Sequence, residues 1–139
     1  MESPINAWIT NMPMSIASAA ADWIHLAALN RYPDLKIALS EGGIGWIPYF
    51  LERADFTAQH HIWTRMDFGS KKPSDVFREH FICCFIDDAF GIKNYQDIGE
   101  DIICYETDYP HSDCAWPKAP EILWPSIENL PERIINKVT

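Results

Sequence analysis

The sequence predicts an α/β fold with a small parallel sheet. Three short, mainly apolar runs have the length of buried strands: LKIALS at 35–40, FICCFI at 81–86 and DIICY at 101–105. More than a dozen residues with helical patterns separate successive runs, and crossovers of that length join parallel strands. Because the apolar residues continue with little alternation, we expect helices to cover both faces of the sheet.

The sequence pattern of the first half of the chain predicts one helix before the first strand and one after it. Apolar and alanine residues recur at helical spacing from Ser15 to Tyr32, which favours one helix over that range. After the first strand, a second helix begins beyond Gly45 and extends to His60 or His61. Its early proline is in the first turn, where the missing amide costs nothing.

The second half begins with a polar, irregular segment from Trp63 to Lys72. A short helix then follows Pro73, with Ser74 or Asp75 as its N-cap, because short polar side chains satisfy the free amides of a first turn. Beyond the second strand, the pattern predicts a loop with a short helix at 87–99, and further helices at 122–127 and from 132 onward.

The sheet predicted in this way has two open edges. Three parallel strands leave unpaired backbone donors and acceptors on both sides, so another copy or further residues are expected to complete the sheet. The sequence contains no internal repeat and no pattern of a second domain.

Charge and composition exclude several classes of protein. The 139 residues carry a net charge of −9, which disfavours contact with the phosphates of nucleic acids. The chain has no apolar stretch long enough to span a bilayer and no signal-peptide pattern at its start, so we expect a cytoplasmic protein. Four cysteines without CxxC spacing indicate reduced, mostly buried thiols.

The candidate functional residues lie in the loops that follow the three strands, because loops at the carboxyl ends of parallel strands meet at one edge of the sheet. The glycine-rich loop at 40–46 offers amides that could hold an anion, or it is a tight turn with a capping glutamate. Asp87 and Asp88 follow the second strand; one can cap the next helix while the other faces the mouth, or both form a solvated turn.

After the third strand, Asp108 precedes His111 by three residues. A carboxylate at the end of a buried strand with a nearby imidazole is a candidate metal-ligand or proton-transfer pair. An aspartate before a turn proline is also ordinary turn chemistry. Of the other histidines, His25 is expected in packing or on the surface, and His80 is expected to cap an element or face solvent.

Two blocks, LSEGGIGWIPY at 39–49 and ETDYPHSD at 106–113, resemble the amidohydrolase superfamily. The similarity is to the branch of metal-dependent hydrolases related to aminocarboxymuconate-semialdehyde decarboxylase. The segments ADW at 21–23, RYPDLKIALSEGG at 31–43 and FREH at 77–80 resemble the same branch. The resemblance extends over nearly the whole chain.

The resemblance implies an α/β fold that is the C-terminal portion, about strands 6–8 with their helices, of a TIM-type (β/α)8 barrel. Residues 1–139 are then a partial barrel domain, truncated at both ends. Asp108 matches the strand-eight aspartate that binds the metal or moves a proton at the attacking water. Glu41 replaces a histidine of the decarboxylases and is expected to act as an acid or base, and His111 is expected to contact substrate. All three are candidate catalytic residues.

The same resemblance implies a divalent metal, with zinc expected, in the parent enzyme. Its HxH and strand-five histidine ligands would precede Met1, so this chain is expected to bind no metal stably and to be inactive alone. The parent would act on a small organic acid or amide, as a hydrolase or as a decarboxylase, which is a lyase. The alternatives are a self-associating half-barrel without chemistry, and a dimer that builds a site from two copies. We expect a homodimer.

Overall fold

A computed structural model describes residues 4–26 and 28–139, and every structural statement below concerns these ranges. The elements in chain order are α1 (Ile5–Ile24), α2 (Ala28–Arg31), β1 (Ile37–Leu39), α3 (Ile47–His60), a 3₁₀ turn (Ile62–Thr64), α4 (Pro73–His80), β2 (Phe81–Phe85), α5 (Ala89–Lys93), α6 (Tyr95–Ile98), β3 (Ile103–Tyr105), α7 (Ala119–Ile127) and α8 (Glu132–Val138). The predicted α/β class is confirmed.

The three strands form one parallel sheet in the order β1-β2-β3. Ile37 of β1 is paired with Phe81 of β2, and Cys83 of β2 with Ile103 of β3. Each strand therefore lies beside its neighbour in sequence, as successive strands of a barrel do. Within the described ranges β1 and β3 are paired on one side only, which confirms the predicted open edges.

One face of the sheet carries the hydrophobic core. Its strand residues pack against helical side chains; they are Leu39, Phe81, Cys83, Phe85 and Ile103. At the centre, the fully buried ring of Phe77 in α4 stacks on Phe81 with ring centroids 4.6 Å apart. Trp46 and Phe50 contact Phe77 from the side of α3. This packing fixes the distance between the helical layer and the strands.

The opposite face of the sheet is largely bare. Ala38 and Cys104 are exposed, and Ile82 keeps 40% of its surface accessible. The prediction that both faces are covered is wrong for the described chain. Continuous apolar runs show that the sequence is suited to burial on both sides, but three strands with their helices supply a covering layer for only one.

The predicted helix from Ser15 to Tyr32 is also wrong in its bounds. Helix α1 begins ten residues earlier, at Ile5, and ends at Ile24. Its first half has no buried residue, although Ile5, Ile9 and Met12 recur at helical spacing, so the prediction missed a signal that the sequence contains. At its end, the ring Nδ1 of His25 lies 2.8 Å from the carbonyl of Ala21 and the chain turns before α2. Ala27 lies outside the described residues.

Helix α4 begins at Pro73 as predicted, but its N-cap is Lys72 rather than Ser74 or Asp75. Asp75 accepts a hydrogen bond from the Lys72 backbone amide at 2.9 Å. Ser74 turns inward and donates its amide and hydroxyl to the Asp55 carboxylate of α3, at 2.9 and 2.8 Å. These bonds join α3 to α4 and explain why a serine is buried here.

Helix α3 ends at His60 and α8 begins at Glu132, as predicted. Residues 87–99 contain two short helices rather than the one predicted, and α7 begins at Ala119, three residues before the predicted start. Among the described helices, none has both the length and the apolar character that crossing a membrane requires.

Candidate active site

Three loops meet at the carboxyl ends of the strands and surround an open cleft of about 480 Å³. The first half of α1 forms one wall of this cleft, and the loops after β1, β2 and β3 form the others. The lining is acidic, and it contains no lysine or arginine among the described residues. Its members are Ile9, Met12, Pro13, Met14, Glu41, Gly42, Gly43, Gly45, Trp46, Ile86, Asp87, Asp88, Asp108 and Asp113.

Asp108 follows β3 and is nearly enclosed, with 8% of its side chain accessible. Its backbone is left-handed, with φ of 54°. The turn that follows is closed by the His111 amide, which donates to the Asp108 carbonyl at 2.9 Å. This turn brings the imidazole Nδ1 of His111 to 2.7 Å from Oδ1 of Asp108. The predicted spacing of three residues therefore places the two side chains in contact.

Glu41 reaches the same point from the loop after β1. Its φ is 59°, and its amide donates a hydrogen bond to the carboxylate of Glu106 at the end of β3. Oε1 of Glu41 lies 3.7 Å from Nδ1 of His111. Glu106 was not predicted as part of the site; its position directly after the third strand is the signal that could have identified it.

Donor atoms of Glu41, Asp108 and His111 lie within 4.8 Å of one another. No other group of three His, Cys, Asp or Glu side chains within 4–26 and 28–139 has this spacing. Two carboxylates and one imidazole are a donor set that divalent zinc and manganese both accept. Donor chemistry and spacing therefore fit a divalent cation, and Asp108 is the least exposed of the three donors.

The charges of the cluster change the pKa values of two side chains. The hydrogen bond that the imidazolium of His111 donates to the Asp108 carboxylate, followed by the charges of Asp108 and Glu41, raises the pKa of His111. Burial raises the pKa of Glu106, and the nearby charges of Glu41 and Asp108 raise it further, against the lowering effect of the Glu41 amide. An acidic cleft thus favours the protonated imidazole and any other cation.

The amides of the glycine-rich loop are occupied by a carboxylate from within the chain. Oδ2 of Asp88 accepts the amides of Ile44 at 2.7 Å and Gly45 at 2.6 Å, and Oδ1 accepts that of Gly91 at 2.7 Å. Asp88 is also the N-cap of α5, as predicted for one of the two aspartates. The exposed Asp87 lines the cleft, and the predicted capping glutamate of the loop is not observed.

The other predicted groups lie away from the cluster. His80 is buried, with Nδ1 2.7 Å from the carbonyl of Leu35, so the prediction that it caps an element or faces solvent is wrong. It binds the chain entering β1, which no local pattern reveals. His25 packs edge-on against Phe68. All four cysteines are free; Cys83 and Cys84 are buried and Cys104 is exposed.

Comparison with known proteins gives the same fold and a shared family. The amidohydrolase family model matches residues 10–138. An amidohydrolase of Mycobacterium avium subsp. paratuberculosis superimposes with a TM-score of 0.75 and 19% identity, over 92% of this chain and 32% of that one. No curated protein sequence matches the chain.

Two solved decarboxylases have the same architecture. The 5-carboxyvanillate decarboxylase of Sphingomonas paucimobilis superimposes with a TM-score of 0.67 at 24% identity, over 87% of this chain and 36% of its own. A dihydroxybenzoic acid decarboxylase of a Polaromonas species was solved with bound manganese and 2-nitroresorcinol. It superimposes with a TM-score of 0.66 at 24% identity, over 88% of this chain and 36% of its own.

This chain spans about a third of the length of these structures. Their barrels are TIM-type, so three parallel strands with one bare face are a fragment of such a barrel. The sequence match over residues 10–138 and the shared fold together show that the chain belongs to the amidohydrolase family.

Proposed function

We propose that this chain is the C-terminal barrel portion of a metal-dependent hydrolase or decarboxylase, and that it is inactive by itself. The observation that carries the proposal is the cluster of Glu41, Asp108 and His111 at the carboxyl end of the sheet. Chain coverage of about a third of the solved relatives supports a partial barrel domain. The decarboxylase relatives and the manganese in one of them support metal-dependent chemistry.

In the complete protein, Asp108 would hold the metal, which we propose is zinc, and the metal would supply a polarised water. Asp108 suits this role because its carboxylate is nearly enclosed and lies at the end of a strand. Glu41 is the proposed acid or base, because its carboxylate is half-buried and 3.7 Å from the imidazole. His111, more exposed, would donate a hydrogen bond to substrate, which we expect to be a small organic acid or amide.

The isolated chain is expected to hold metal weakly. A catalytic zinc site needs about three protein ligands in fixed geometry. Here Glu41 and His111 keep 37% and 65% of their side-chain surface accessible, so their ordering would consume part of the binding energy. Elemental analysis of the purified chain should therefore find far less than one zinc per chain. One tightly held metal per chain would contradict the proposal.

A second experiment tests the residue roles in a protein that carries the complete barrel. Asp108→Asn should abolish turnover, because the amide is neutral and a weak metal ligand. Asp34→Asn, which changes an exposed aspartate outside the cleft, is the matched control. Turnover that survives Asp108→Asn, with Asp34→Asn unaffected, would exclude the role proposed for Asp108.

The second candidate is a self-associating half-barrel without chemistry, and one observation favours association. The accessible surface is 9246 Å². A compact monomer of 16.0 kDa exposes about 7,400 Å². The excess is larger than the ~800 Å² that each partner buries in a standard interface. We propose that the chain forms a homodimer. Sedimentation should then give a mass of twice 16.0 kDa. A monomer at all protein concentrations would exclude the homodimer.

A further inference from the structure

The loop that carries Glu41 follows β1 and is held by carboxylates that follow the other two strands, β2 and β3. Glu106, at the end of β3, accepts the amide of Glu41 itself. Asp88, just beyond β2, accepts the amides of Ile44 and Gly45, which are 44 and 43 residues away in sequence. The loop therefore has one anchor near its start and a second near its end.

Asp88 does more than a helix cap requires. Capping of α5 uses Oδ1, which accepts the Gly91 amide at 2.7 Å. The second oxygen is free for other partners and accepts two amides of a different loop, at 2.7 and 2.6 Å. Three hydrogen bonds use most of the roughly four acceptor sites of a carboxylate, and charge-assisted bonds of this length are the strong ones.

Glycines surround this carboxylate on three sides, and their lack of a side chain permits the approach. A Cβ at Gly45 would lie 3.0 Å from Oδ1 of Asp88, and one at Gly91 would lie 2.9 Å from its Cγ. At Gly43 the distance to Oδ2 would be 3.2 Å. The glycine-rich sequence after β1 thus makes room for an internal carboxylate.

We propose that Asp88 is a positioning residue that fixes the loop carrying Glu41 at the mouth of the cleft. It acts through the backbone of Ile44 and Gly45 and touches no member of the cluster by hydrogen bond. Anchoring of the loop is independent of the proposed function, whereas its effect on metal affinity rests on that function.

Amide hydrogen exchange of the 139-residue chain separates positioning from capping. Asp88→Ser keeps a good N-cap oxygen for Gly91 but is too short and uncharged to hold the other loop. Ile44 and Gly45 should exchange about tenfold faster or more, since bonds to charged acceptors are the stronger ones. Gly91 should change much less. Asp87→Ser, which alters the adjacent exposed carboxylate, is the matched control and should leave all three amides unchanged.

Two results would overturn the proposal. Unchanged exchange at Ile44 and Gly45 in a folded Asp88→Ser chain would show that Asp88 only caps α5. If the variant does not fold, the wild-type chain decides: slowed exchange of these two amides relative to unstructured peptides supports the proposal, and unprotected amides exclude it.

Titration with Mn²⁺, followed by paramagnetic broadening of the Asp108 and His111 resonances, tests the consequence for the site. Asp88→Ser should weaken the apparent Mn²⁺ affinity about tenfold, because groups that orient ligands contribute on this scale. An unchanged affinity would restrict Asp88 to holding the loop. Absence of broadening in the wild-type chain would count against the proposed metal function, while the exchange experiment would still decide the role of Asp88.

Discussion

Two clustered residues, Glu41 and Asp108, have left-handed backbone, with φ of 59° and 54°. This conformation places Cβ against the carbonyl oxygen and costs about 1–2 kcal/mol for residues other than glycine. Strained backbone persists where the surrounding contacts impose it, and such positions concentrate at functional sites. The amide of Glu41 on Glu106 and the turn closed by His111 are the contacts that impose it here.

Replacement of Glu41 by glycine or alanine measures this backbone cost. Both variants remove the carboxylate, but only glycine removes the left-handed penalty, so Glu41→Gly should be more stable than Glu41→Ala by about 1 kcal/mol. Chemical denaturation gives the free energies of unfolding. At the exposed Glu52 inside α3, the alanine variant should instead be more stable than the glycine variant, because alanine is the better helix former. Equal stability of the two variants at position 41 would argue against strain there.

The imidazole of His111 is predicted to titrate above its ordinary value of about 6.5. Asp108 and Glu41 raise the pKa of His111, so its stabilising charge interaction is fully present below 6.5 and is lost as the pH rises through the folded-state pKa. Asp108→Asn should return the pKa of His111 toward 6.5 in an NMR titration. The His111→Gln variant identifies the His111 resonance. An identical pKa of His111 in the wild-type chain and in Asp108→Asn would contradict the contact between the two side chains.

At the scale of elements, the α3–α4 pair and β2 form the centre of the fold. Phe77→Ala should cost about 3–5 kcal/mol, because the ring is fully buried and stacked on Phe81. Phe90→Ala removes a ring that is 66% exposed and should change stability by less than about 0.5 kcal/mol. Urea titration provides both values. A loss below about 1 kcal/mol for Phe77→Ala would show that the core can close over the missing ring.

Elements whose signals are local could be predicted from the sequence, and those fixed by distant contacts could not. The strands are short apolar runs bounded by turn residues, and α3 begins directly after a glycine-rich loop, so both are marked by neighbouring residues. The spacing of Asp108 and His111 likewise predicted their contact. The contact of His25 with Phe68 and the anchoring of a loop by Asp88 both join residues more than forty positions apart in sequence. A local sequence pattern reveals neither of these contacts.

At the scale of the whole molecule, the bare face of the sheet is the dominant feature. Cys104 is exposed on this face and provides a probe of its coverage. Its register partner Cys84 and the adjacent Cys83 have pKa values raised by burial, to about 11 and about 12, and should react slowly with iodoacetamide at pH 8.

If copies associate through the bare face, alkylation of Cys104 should slow as the protein concentration rises. Cys114 lies in the loop after β3 and not on a strand, so its rate should stay constant. Mass spectrometry of peptides from timed samples gives both rates. A dimer in which Cys104 reacts as fast as in the monomer would place the interface elsewhere.

The acidic lining of the cleft has a kinetic consequence. The carboxylates of Asp87 and Asp113 face a mouth without a lysine or arginine among its described lining residues, so this part of the chain repels an approaching anion. Raising the salt concentration to about 0.15 M shortens the Debye length to about 8 Å and weakens that repulsion. In a protein with the complete barrel, kcat/KM for an organic acid should then increase with ionic strength, whereas that for a neutral amide should not. The sign of the salt dependence would thus distinguish the two proposed substrate classes.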